Sequence, residues 1–146
     1  MIINIRHTGI VVANMDESKR FYRDLLGFTI QKQMLETGEY ISAVLHAAGT
    51  EVKTVKMSAP DGQLIALLEF VSSKNKPRPR AIHDVGISHV AFTVRNLDEE
   101  HKRLQNAGIS FLSAPQASPD GYAKVVFCRA PERTYVELVE VLGRHP

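Results

Sequence analysis

The sequence has very little cysteine: Cys128 is the only one among 146 residues. A single thiol cannot form a disulfide within the chain, which excludes a secreted domain held together by internal disulfides. The first residues, MIINIRHTGIVV, also lack the basic leader, apolar run and small-residue cleavage site of a secretory signal. We therefore expect a protein of the reducing cytoplasm.

Long apolar runs and strong charge are missing as well. No run approaches the roughly 20 apolar residues that a transmembrane helix needs, so we expect no membrane association. The net charge is only +2 at pH 7, and no long basic run is interleaved with aromatic residues. This balance argues against nucleic acid as a partner. The apolar content of 44% is instead sufficient for a packed core.

The sequence contains an internal repeat with a spacing of 82 residues. The stretch IRHTGIVVANMDESKRFYRDLLGF at 5–28 returns as ISHVAFTVRNLDEEHKRLQNAGI at 87–109. The identical pairs in register include His7 and His89, Val12 and Val94, Asn14 and Asn96, Asp16 and Asp98, and Glu17 and Glu99. A repeat of this kind indicates two copies of one structural unit that pack together.

Each copy predicts a strand followed by a helix. The β-prone residues at 5–12 and 87–94 favour strands. The helices have matching start and stop signals: Asn14 or Asp16 and then Gly27 in the first copy, and Asn96 or Asp98 and then Gly108 in the second. Short polar side chains cap helix N-termini, and glycine commonly ends a helix.

Both copies continue with short strands and turns, such as APDGQ at 59–63 and SPDGY at 118–122. Each copy ends in an apolar strand, QLIALLEFV or TYVELVEVL. We therefore predict an α+β fold of two βαβββ modules, which form an open eight-stranded barrel-like cup. The modules comprise residues 1–71 and 85–146, and residues 72–84, which include SSKNKPRPR, form a solvated linker.

Each module also places one histidine and one glutamate in an apolar strand. The histidines are His7 and His89, each on the same strand face as a small residue, and the glutamates are Glu69 and Glu137. A carboxylate is costly to bury unless it is paired, protonated or bound to a cation. Two imidazoles and two carboxylates suit Zn²⁺, Ni²⁺, Co²⁺, Mn²⁺ or Fe²⁺. Because the repeat's symmetry would bring all four residues to one point, we predict that they form a divalent metal site.

At this level of detail the sequence resembles the vicinal oxygen chelate superfamily, also called the glyoxalase, bleomycin resistance and dioxygenase superfamily. The resemblance is carried by HTGIVVANMDESKRFYRDLLGF, LLEF, HVAFTVRNLDEEHKRLQNAGI and YVELVE. It implies paired βαβββ modules around a divalent metal, with His7, Glu69, His89 and Glu137 as ligands. That set is similar to the one in glyoxalase I, the lactoylglutathione lyase. The turn APERT at 130–134 departs from the family's frequent DPDGN.

The resemblance implies a metal-dependent lyase or isomerase acting on a small 2-oxo or thioester substrate. Glu137 would abstract a proton next to a carbonyl, with Glu69 as its partner, and the metal would stabilise the enolate. An anionic thiol or thioester conjugate is one candidate substrate, and a homodimer is expected.

Three alternatives stay open within the family. Methylmalonyl-CoA epimerases, which are racemase-like, typically have glutamine where Glu69 stands. Fe-dependent dioxygenases generally use two histidines and one glutamate. Non-catalytic drug- or metabolite-binding proteins lack the metal ligands.

Overall fold

The structure is a computed structural model that describes residues 1–143. In chain order its elements are β1 (Thr8–Val11), α1 (Met15–Lys19), a π-helical segment (Arg20–Leu25), β2 (Thr29–Thr37), α2 (Glu39–Val44), β3 (Glu51–Ser58), β4 (Leu64–Phe70), β5 (His89–Thr93), α3 (Leu97–Asn106), β6 (Gln116–Ala117), β7 (Ala123–Arg129) and β8 (Tyr135–Val141). The chain divides into two compact units, Met1–Pro77 and Arg78–Pro146.

Each unit contains one four-stranded mixed sheet. The strand order is β1-β4-β3-β2 in the first unit and β5-β8-β7-β6 in the second. In both, the first strand runs parallel to the last strand, which is antiparallel to the strand before it. The predicted α+β class and the two βαβββ modules are therefore confirmed. The first and last strands of each module are direct neighbours; Glu69, His89 and Glu137 lie on these strands.

Some local expectations differ from the structure. Strands β1 and β5 are shorter than predicted, and His7 precedes β1 by one residue. Helix α2 was not predicted, since its six residues, EYISAV, include apolar and β-branched side chains and carry no clear helical period. The limits of the predicted linker at 72–84 stay a prediction. Residues 144–146 of the predicted second module lie outside the described part of the chain.

The helix signals read from the repeat are confirmed in both modules. The Asn14 side chain accepts hydrogen bonds from the backbone N–H groups of Asp16 and Glu17, and Asn96 accepts one from Glu99. Gly27 and Gly108 follow the helices with φ of 84° and 91°. This left-handed conformation is available to glycine without a Cβ clash, so the chain can turn back toward the next strand.

In each module, the helix after the first strand packs against one face of the last strand, and we call this face the helix side of the sheet. Phe21 and Leu67 are buried in the first unit, and Leu104, Val136 and Leu138 are buried in the second. Because side chains alternate, Glu137 lies between two core-facing residues and therefore points to the other face of its sheet. Within residues 1–143, no helix has the length and apolar character needed to cross a bilayer.

Candidate metal centre

The second module brings its two predicted ligands together. In the parallel pairing of β5 with β8, His89 lies opposite Tyr135 and Ala91 lies opposite Glu137. The His89 Nε2 atom is 2.9 Å from Glu137 Oε2, and the two side chains are 33% and 20% exposed. The pair is partly shielded but remains accessible to a small molecule.

Ser88 contacts the ring nitrogen of His89 that faces away from Glu137. Ser88 Oγ donates to the carbonyl oxygen of Ile82 at 3.2 Å and lies 3.0 Å from His89 Nδ1. In the tautomer with the proton on Nδ1, the hydroxyl accepts from Nδ1–H and the Nε2 lone pair faces the Glu137 carboxylate. A divalent ion would satisfy both of these acceptors.

The donor set of this pair fits a divalent metal ion. Imidazole nitrogen and carboxylate oxygen are both common ligands of such ions. His89 Nε2 and Glu137 Oε2 lie 2.9 Å apart, close enough for one ion to contact both. Metal-binding histidines also usually bond through their other ring nitrogen to a nearby acceptor, as His89 does with Ser88. His89 and Glu137 are therefore suited to hold a metal together.

An aromatic ring supports the His89 side chain. The Phe127 ring lies edge-on to the imidazole, with ring centroids 5.0 Å apart and planes at 80°. Phe127 also lies opposite Glu137 in the antiparallel pairing of β7 with β8. The contact restricts rotation of the imidazole and covers part of the pair with an apolar surface.

A second polar group adjoins the pair through Tyr135. The buried Tyr135 hydroxyl donates to the carbonyl oxygen of Arg80 at 2.6 Å and accepts from Arg129 Nη2 at 3.1 Å. The Arg129 guanidinium lies over the Tyr135 ring, 5.1 Å from its centroid. Sequence reasoning missed these residues, although strand alternation from Glu137 does place Tyr135 on the same face.

The first module arranges its predicted ligands differently. His7 is exposed and precedes β1. Glu69 is half-buried, and its Oε2 accepts a hydrogen bond from the backbone N–H of Met15 at 3.3 Å. Within the described part of this unit, no ion pair joins His7 to Glu69.

Strand pairing shows how the last strands of the two modules correspond. Gly9 and Ala91 are repeat partners; Gly9 lies opposite Ala66, whereas Ala91 lies opposite Glu137. Ala66 therefore occupies the place in the first module that Glu137 occupies in the second. The backbone hydrogen bonds show the same correspondence. The N–H groups of the repeat partners Val12 and Val94 donate to the carbonyl oxygens of Leu68 and Val139, which stand two residues after Ala66 and Glu137.

The repeat accordingly relates Glu69 to Glu140 rather than to Glu137. Glu140 accepts hydrogen bonds from the N–H groups of Asn96 and Leu97 at 3.2 and 3.0 Å, as Glu69 does from Met15. The expectation that symmetry would bring Glu69 and Glu137 to equivalent places does not hold, because the two residues stand at different register positions. Glu69 as a metal ligand stays a prediction from the sequence.

Across residues 1–143, no three His, Cys, Asp or Glu side chains lie close enough together to hold a metal ion. The structure thus assembles His89 with Glu137. The participation of His7, like that of Glu69, stays a prediction.

Two βαβββ modules, the second with a histidine and a glutamate on its neighbouring first and last strands, agree with the class of protein that the sequence resembles. The chain belongs to the Glyoxalase/Bleomycin resistance protein/Dioxygenase superfamily, whose family model matches residues 4–138. It is also similar to the lactoylglutathione lyase of Schizosaccharomyces pombe, with 28% identity over 144 residues that cover 92% of this chain and 46% of that protein. The chain therefore spans about half the length of this curated relative.

Solved structures show the same fold. A glyoxalase family protein from Bacillus cereus is 23% identical, with a TM-score of 0.89 over 98% of this chain and 97% of that chain. The trypanothione-dependent glyoxalase I of Leishmania major is 18% identical, with a TM-score of 0.68 over 95% and 87% of the two chains.

Proposed function

We propose that this protein is a metal-dependent lyase or isomerase of the glyoxalase type. It removes a proton from a carbon next to a carbonyl group in a small 2-oxo or thioester substrate. The observation that carries the proposal is the contact between His89 Nε2 and Glu137 Oε2, which brings an imidazole nitrogen and a carboxylate oxygen together at 2.9 Å. Membership of the superfamily and the similarity to a lactoylglutathione lyase support it.

His89 and Glu137 would hold the ion, and His7 is proposed as a further ligand from the first module. Zn²⁺, Ni²⁺, Co²⁺, Mn²⁺ and Fe²⁺ all suit imidazole and carboxylate donors. When bound, such an ion supplies a Lewis acid that stabilises negative charge developing on a substrate oxygen. Ser88 would accept a hydrogen bond from His89 Nδ1–H, so that the Nε2 lone pair is available to the ion.

Glu137 is the proposed general base. Its side chain is 20% exposed, and within residues 1–143 its only partner is His89. A substrate entering beside the pair would meet a carboxylate oxygen able to accept a proton from carbon and return it to the neighbouring position. Phe127 would keep water from one side of the pair, which favours return of the same proton to the substrate.

Isotope exchange tests this proposal. The protein is loaded with each candidate metal and incubated in deuterated buffer with 2-oxo acids, thiol adducts of 2-oxoaldehydes and acyl thioesters. Deuterium entering a substrate carbon next to the carbonyl is expected with wild type and not with Glu137→Gln. A chain that takes up no divalent ion would contradict the proposal and favour a non-catalytic binding protein.

An Fe²⁺ oxygenase is a second candidate, favoured by one observation. Ala66 occupies the first-module position that corresponds to Glu137, which leaves two histidines and one glutamate among the proposed donors. This donor set is typical of non-haem Fe²⁺ oxygenases. Oxygen uptake by the Fe²⁺-loaded protein with catechols, without deuterium exchange, would favour this candidate.

The expected homodimer and cytoplasmic location are kept as proposals from family resemblance. Light scattering on the purified chain measures the first, and cell fractionation the second.

A further inference from the structure

We infer that Glu69 is a helix-capping residue and not a metal ligand. This inference rests on the proposed function and deepens it, because it removes one carboxylate from the predicted set of ligands.

The first argument is the sheet face on which each side chain lies. Leu67 is fully buried on the helix side of β4, and Glu69, two residues later, shares that face. Ala66 and Leu68 lie on the opposite face, where a Cβ placed on Gly9 would be 3.7 Å from Leu68 Cδ1. Strand alternation carried back from Gly9 puts His7 on this second face. Glu69 and His7 therefore point away from each other across the sheet.

The second argument is that the Glu69 carboxylate already has a structural partner. The first N–H groups of a helix have no acceptor within the helix, and a negative charge is favourable at this end. Asn14 accepts from Asp16 and Glu17, and Glu69 accepts from Met15, a buried residue. Moving Glu69 to a metal would leave the Met15 N–H without its acceptor.

The third argument is that the second module contains an equivalent hydrogen bond between a last-strand glutamate and the start of a helix. Glu140 accepts hydrogen bonds from Asn96 and Leu97 at the start of α3. Leu97 is the repeat partner of Met15. Glu69 and Glu140 thus have the same structural role in the two copies, because each hydrogen-bonds the last strand to the start of the helix in its module.

Metal affinity tests the inference without relying on catalysis. The full chain is stripped of metal and titrated with Ni²⁺ in competition with a chromophoric chelator, and thermal unfolding of each variant is followed in parallel. The matched variants are Glu69→Ala and Glu140→Ala, which each remove one capping carboxylate. Both are expected to lower the melting temperature and to leave the Ni²⁺ dissociation constant within about threefold of wild type, whereas Glu137→Ala weakens binding by at least about tenfold.

A further variant keeps the inference testable if Glu69→Ala does not fold. Glu69→Gln keeps an acceptor for the Met15 N–H, and it is expected to bind Ni²⁺ as wild type does.

The outcomes separate this inference from the proposed function. Weakening of Ni²⁺ binding by Glu69→Ala or Glu69→Gln to the extent seen with Glu137→Ala, with no change for Glu140→Ala, overturns the inference alone. Failure of the wild-type chain to bind any divalent ion overturns the proposed function alone, because the melting temperatures of Glu69→Ala and Glu140→Ala still test the capping role.

Discussion

The His89 imidazole and the Glu137 carboxylate meet at 2.9 Å across two neighbouring parallel strands. Ser88 contacts the Nδ1 atom of the imidazole, and the Phe127 ring packs edge-on against the imidazole ring. Both supports lie on strands or at a strand start, so the pair is positioned by the sheet and not by a long loop. A site built on regular structure can hold its donor atoms in a fixed geometry before a metal or substrate arrives.

Replacing Glu137 with glutamine should abolish proton abstraction. Under the proposed function the change removes the general base and weakens a metal ligand at the same time, so turnover should fall by about 10²–10⁴-fold or more. Steady-state kinetics measures the loss once a substrate is found, and metal analysis of the purified variant measures ligand loss. Glu140→Gln, on the opposite face of β8, is the control and should retain turnover.

Replacing Ser88 with alanine should weaken metal binding although Ser88 does not contact the ion. Without the hydroxyl, His89 Nδ1 loses its acceptor and the ring is free to change tautomer and rotate. Loss of such a supporting bond typically lowers metal affinity by about 10–100-fold. Chelator competition measures the effect. Ser88→Thr should restore affinity, and Ser113→Ala, at an exposed serine that bonds only to the Ala114 carbonyl oxygen, should not change it.

The sequence predicted the two modules well because the repeat and the helix signals are local. Asn14, Asn96, Gly27 and Gly108 each act on the turn in which they stand, so their roles follow from residue type and spacing. The paired His89 and Glu137 could be proposed because strands at matching places in a repeat carry them. The contact between the two residues is seen only in the structure.

The register of β4 could not be obtained in the same way. Its sequence, LIALLEF, is apolar on both faces, so the alternation that usually identifies the buried face is missing. The pairing of Gly9 with Ala66 is a contact between distant parts of the chain. Without it, Glu69 is the only glutamate in the strand and is naturally matched with Glu137, although the structure relates it to Glu140.

The two helix caps should differ in their response to the same substitution. Asn14 has an extended backbone with φ of −139°, whereas Asn96 has φ of 50° in the left-handed region. Alanine at position 14 loses only the cap, at a cost of about 1 kcal/mol in the free energy of unfolding. Alanine at position 96 also incurs left-handed strain of roughly 1–2 kcal/mol. Urea denaturation measures both, and equal losses for the two variants would contradict the backbone argument.

The thiol of Cys128 should be unreactive in the folded protein. Cys128 is fully buried in β7, and burial raises the pKa of its thiol to about 12 because the thiolate would lose its hydration. A raised pKa favours the protonated form, so at pH 8 only about one thiol in ten thousand would be ionised. The thiolate is the species that reacts with disulfide reagents. We therefore expect negligible labelling by a chromogenic disulfide reagent at pH 8 and one full equivalent after unfolding in guanidinium. Rapid labelling of the native chain would show that β7 opens far more readily than its buried position implies.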